Sequence, residues 1–121
     1  MTILHEHDVD GLRELLVGQR VIKVGADSLQ LENGTMLQLE GYGDCCAGYE
    51  LTVLNDCPNI ITNVMLNADL QGDDYPGEGR GVYELFVLAD NQRINLATFS
   101  GTESNGYYSA GFRVKVIPAA I

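Results

Sequence analysis

The chain is 121 residues long, one domain's worth of polypeptide, and a single domain over 1–121 is expected. Hydrophobic residues make up 45% and charged residues 20%. That is a globular balance, which argues against intrinsic disorder, and no apolar run reaches the roughly 18 residues a membrane helix needs. Seventeen acids against seven bases give a net charge of −10, which excludes a general phosphate-neutralising surface for nucleic acid and disfavours an anionic membrane.

The acidity is uneven. Residues 1–78 carry fourteen acids and three bases, whereas 79–121 carry three acids and four bases (Arg80, Arg93, Arg113 and Lys115). The opening MTILHEHDVD lacks the cationic and apolar regions of a secretory signal and does not read as one.

Asp8 or Asp10 is a plausible N-cap for a short helix. Leu12, Leu15 and Leu16 fall at i, i+3 and i+4, and Gly18 is a natural stop. The helical period then disappears. β-Branched Val21, Ile22 and Val24 predict a strand over 20–25. Alternation predicts further strands over 28–32 and 35–42, with Asn33-Gly34 between them as a type I′ hairpin turn. Glycine-rich GYGDCCAG (41–48) reads as a tight connection.

Strands over 49–54 and 60–68 follow, separated by the turn cluster Asn55–Asn59. QGDDYPGEGRG (71–81) reads as a mobile polar loop. Strands 82–89 and 93–100 form a hairpin through Asp90-Asn91-Gln92, and the first is apolar enough on both faces to predict a central strand covered on both sides. The last strand, 107–117, puts Phe112, Val114 and Val116 on one face and Tyr107, Ser109, Arg113 and Lys115 on the other. The pattern predicts an α+β fold: a short N-terminal helix packed on a twisted, mostly antiparallel sheet, open or partly closed into a barrel.

Chemistry-bearing groups are sparse. Cys45, Cys46 and Cys57 are odd in number and lack zinc-finger spacing. They read as small residues in tight turns, with Asp44, Cys45 and Cys46 as the alternative reactive thiol cluster. His5 and His7 lie near the terminus in no recognisable element, so no nucleophile–base pair is assembled, and no enzyme, metal or cofactor is expected. GYGDCCAG lacks the lysine of a P-loop and the following helix of a dinucleotide fold. The remaining constellation is Arg93, Tyr107, Ser109 and Arg113, a sheet face suited to stacking a base and gripping a phosphate. The plain alternative is the solvated side of an edge strand. Such an edge, left uncovered, would let two copies pair as a homodimer.

Three pieces carry a family resemblance: Gly43-Asp44-Cys45-Cys46-Ala47, Arg93-Ile94-Asn95-Leu96-Ala97 and Ser104-Asn105-Gly106-Tyr107-Tyr108-Ser109. From about Gly18 to Val116 the chain resembles small proteins encoded by tailed phages and prophages, notably those of actinobacteria. The resemblance implies a non-enzymatic phage accessory protein in the host cytoplasm, which would act on a bacterial host protein; the Arg93, Tyr107 and Arg113 face supplies the alternative, a small anionic ligand such as a nucleotide. It implies no reaction and assigns no catalytic residue.

Overall fold

The computed structural model describes residues 2–43, 48–71, 79–103 and 110–119. Asp44, Cys45, Cys46, Tyr107 and Ser109 lie outside them. The described chain forms nine strands and one helix, and every strand pairing is antiparallel. In chain order these are β1 (Thr2–His5), α1 (Val9–Leu16), β2 (Val21–Val24), β3 (Ser28–Leu31), β4 (Met36–Gly43), β5 (Gly48–Leu54), β6 (Ile61–Gln71), β7 (Gly79–Ala89), β8 (Gln92–Glu103) and β9 (Ala110–Ile117). No described helix is long and apolar enough to cross a membrane.

The predicted α+β class gives way to a mostly-β one, and the single sheet becomes two with no barrel closure. Sheet A has the order β1-β9-β4-β3-β2, and sheet B the order β5-β8-β7-β6. The helix contributes two fully buried side chains, Leu12 and Leu16. It lies along the outer strand of sheet B, where the Arg13 guanidinium donates to Asn63 Oδ1 (2.9 Å) and to the Val64 carbonyl (3.0 Å).

Strand alternation builds one core from both sheets. Leu37 and Leu39 of β4 face inward with Val114 of β9, and Tyr83, Leu85 and Val87 of β7 do so from the other sheet. Phe99 of sheet B stacks on Phe112 of sheet A, with centroids 4.3 Å apart and planes within 4°. Tyr83 meets Phe112 edge-on at 5.5 Å. Offset and edge-to-face ring pairs of this kind add about 0.5–1.5 kcal/mol beyond the area they bury.

The β4–β5 corner demands glycine. A Cβ on Gly41 would run into the Tyr49 carbonyl, and one on Gly101 into the Gly48 carbonyl. Any side chain there would push the crossing strands apart.

Several expectations change in detail. At Asn33-Gly34 only Gly34 has positive φ (92°), and its N–H donates to the Leu31 carbonyl (2.9 Å). This is a type I turn closed by a left-handed glycine, rather than type I′. The primed turn sits at Asp90 and Asn91, both left-handed (φ 52° and 59°). Gly79–Gly81 belong to β7 and Gln71 to β6, because ladder bonding between Gln71 and Arg80 extends both strands into the predicted loop. β7 is central, but only one face is fully buried, with Val82, Glu84, Phe86 and Leu88 half-exposed on the other.

The N-terminal residues are not structureless either. Thr2–His5 pair with Val116–Arg113, which makes β9 an inner strand flanked by β1 and β4. Among the described residues β9 is therefore an inner strand and not the uncovered edge expected to pair two copies.

Candidate functional site

Strands that follow one another in the chain need not share a sheet, and the predicted arginine constellation shows this. Arg93 belongs to sheet B, where its guanidinium lies 4.5 Å over the Phe86 ring. Arg113 belongs to sheet A. The two do not share a site. Tyr107 and Ser109, the groups expected between them, lie outside the described residues, as does the Asp44, Cys45 and Cys46 cluster. The third thiol, Cys57, is fully buried and donates to the Asn59 carbonyl at 3.3 Å. Burial, with the nearby Asp56 charge, pushes this thiol above its usual range, so it is a poor nucleophile.

Arg113 instead organises a polar platform on the outer face of sheet A. The register places it between His5 of β1 and Glu40 of β4. Its Nε donates to Glu40 Oε1 at 2.6 Å, and Lys115 Nζ approaches the same oxygen at 3.4 Å. Burial alone would raise the Glu40 carboxyl. The hydrogen bonds and charges of Arg113 and Lys115 outweigh it and hold the group below the usual carboxylate range.

The Arg113 guanidinium also sits 5.3 Å from the Tyr42 ring centre, and His5 meets that ring edge-on at 5.9 Å. The Tyr42 hydroxyl donates to Glu6 (2.9 Å to Oε1). Burial and the neighbouring Glu6 carboxylate push this phenol up to about 12. Tyr42 is therefore a neutral donor and offers no base. Glu6 covers Gly111, where any Cβ would strike its carboxylate.

Tyr42 also borders a cleft of about 670 Å³ where the β4–β5 corner meets the ends of β7 and β8. Its lining includes Tyr42, Tyr49, Glu50, Arg80, Val82 and Thr102, and glycine backbone supplies much of the rest. A cavity of this volume fits a small organic ligand. Thr102 Oγ1 is already committed, accepting from the Gly48 N–H at 3.1 Å, and the Ser100 hydroxyl lies 3.4 Å from that of Thr52.

Arg80 is different. Its only bond among the described residues is to its neighbour's carbonyl, Gly79, at 3.4 Å. Every other described arginine is engaged: Arg13 with Asp10, Arg20 with Glu32, Arg113 with Glu40, and Arg93 with the Phe86 ring.

Sequence reasoning missed Tyr42, Glu50 and Arg80. Arg80 was hidden in a glycine-rich stretch that showed no strand period. For Tyr42 the signal was present, since the alternation that buries Leu37 and Leu39 continues outward through Gln38, Glu40 and Tyr42.

No curated protein and no solved structure matches the chain. One family model does match it, over residues 14–114, a stretch that takes in Arg80, Arg113 and the whole cleft but leaves out β1 and residues 5–8. The chain thus belongs to the family described as a domain of unknown function, DUF7448.

Proposed function

We propose that the protein is a non-enzymatic binding module whose cleft takes a small, nucleotide-like ligand. The observation that carries this reading is the Arg80 guanidinium on the cleft wall, which among the described residues bonds only the Gly79 carbonyl. A planar fork of donors with no carboxylate partner among the described residues suits a phosphate, which it can grip through two parallel bonds. Glu50, on the same cleft, is an acceptor for ligand hydroxyls. The Val82 side chain adds an apolar surface for a ring. The ligand this describes is anionic at one end and hydroxyl-bearing along its body. The nucleotide expectation thus moves from the Arg93 and Arg113 face to the Arg80 cleft.

A thermal-shift series with AMP, GMP, ribose 5-phosphate and inorganic phosphate tests this. A ligand present at 100 times its Kd stabilises by about 2.7 kcal/mol. The expected result is a nucleotide-dependent shift that Arg80→Ala abolishes while leaving the unliganded melt in place. No shift from any of these compounds at millimolar concentration, or an equal shift in the variant, would sink the reading. The resemblance to tailed-phage proteins supports a setting for it: the cytoplasm of an infected bacterium, where such a module sequesters its ligand or engages a host protein.

A further inference from the structure

Just beyond β1, the structure draws together three groups with metal-binding chemistry. The sequence His5-Glu6-His7-Asp8 leaves β1 and enters α1 through a tight turn. Two hydrogen bonds close it. The Asp8 N–H donates to the His5 carbonyl (2.9 Å), and the His5 N–H donates to Asp8 Oδ2 (2.8 Å). This brings His5 Nδ1 within 3.9 Å of Asp8 Oδ2 and His7 Nε2 within 3.9 Å of Asp8 Oδ1. The two imidazoles are nearly parallel, 4° apart in plane. One ligand atom from each of the three residues lies within 4.8 Å of the others.

Two features separate this cluster from an incidental surface group. Asp8 occupies the helix N-cap position, where a carboxylate ordinarily accepts a first-turn N–H, yet its side chain makes no capping bond. Its Oδ1 is thereby left facing His7. Glu6, between the histidines in sequence, is drawn away to the Tyr42 hydroxyl, so the cup holds two imidazoles and one carboxylate. Arg113, the residue opposite His5 in the ladder, is held on Glu40.

We propose that His5, His7 and Asp8 form a three-ligand site for a divalent metal of the zinc class. Two nitrogens and one oxygen match zinc, cobalt or nickel, whereas magnesium and calcium want sets built from oxygen. Bonds of about 2.0–2.1 Å in a tetrahedral site place ligand atoms about 3.4 Å apart. Closing from 3.9–4.8 Å needs only side-chain rotation, and the His7 side chain is 74% exposed and free to turn. The fourth position faces solvent and accepts water or a donor from a partner. His5, fixed by strand pairing, is the rigid ligand, and His7 is the one that closes the site.

The test is calorimetric titration of the full, reduced chain with zinc alone, followed by cobalt as an optical probe. The expected result is one zinc per chain, with affinity at least tenfold weaker in His7→Ala and in Asp8→Asn. Both variants should keep the melting temperature of the metal-free protein. Cobalt should show the visible bands of a nitrogen–oxygen site. No saturable binding, undiminished binding in both variants, or a thiolate charge-transfer band pointing to the cysteines would each overturn the proposal.

Discussion

Phe112 and Arg113 are adjacent in one strand and face opposite worlds. Phe112 is fully buried against Phe99 of the other sheet, and Arg113 is half-buried over Tyr42 in a pair with Glu40. The inner face of β9 joins the sheets through apolar contact, which water cannot replace. The outer face arranges charges that water screens well. Stability therefore belongs to the inner side, and the outer side is free to carry ligands and partners.

The largest effect should come from cutting the inner side. Phe112→Ala is expected to cost about 3–5 kcal/mol in urea unfolding, because it removes a stacked ring and leaves a cavity between the sheets. Arg113→Ala, one residue on, should cost about 1 kcal/mol or less. Equal costs would end the division of labour between the two faces. Gly41→Ala comes next, at about 1–3 kcal/mol, since its methyl group meets the Tyr49 carbonyl, a backbone group that cannot rotate aside.

The smallest effect is on pH dependence, and it sharpens the comparison by reading the outer face alone. The Glu40 carboxyl is held low in the folded state, so its contribution is present above the ordinary carboxylate range and lost as the pH falls below it. The Tyr42 phenol is raised from 10 to about 12, so its contribution is present below pH 10 and lost as the pH climbs toward 12. Tyr42→Phe should flatten the alkaline limb and leave the acid limb in place. Stability curves recorded for both proteins across the pH range check this.

Local pattern carried most of the element assignments. The i, i+3, i+4 leucines gave α1, alternation gave β3, β4 and β9, and the apolar runs around Asp90-Asn91 gave the β7–β8 hairpin. What failed was non-local. Thr2–His5 is four residues long and becomes a strand only because β9, more than a hundred residues away, bonds to it. The division into two sheets is equally invisible, since β8 and β9 are consecutive yet belong to different sheets. That one fact put Arg93 and Arg113 on different sheets. Arg80 was lost for another reason: glycines on both sides of it erased the alternation that would have marked it as a strand residue.

The position of β9 also has a temporal side. β9, which follows every other described strand in the chain, fills the slot between β1, the earliest of them, and β4. Until it emerges from the ribosome, the β2–β3–β4 meander presents a bare edge, and the opening strand has nothing to bond. Sheet A therefore cannot assemble progressively along the growing chain. Pairings of such long range are slow to form, so a nascent or truncated copy lacking β9 would expose two unsatisfied edges to whatever chaperone or neighbouring polypeptide reaches them first.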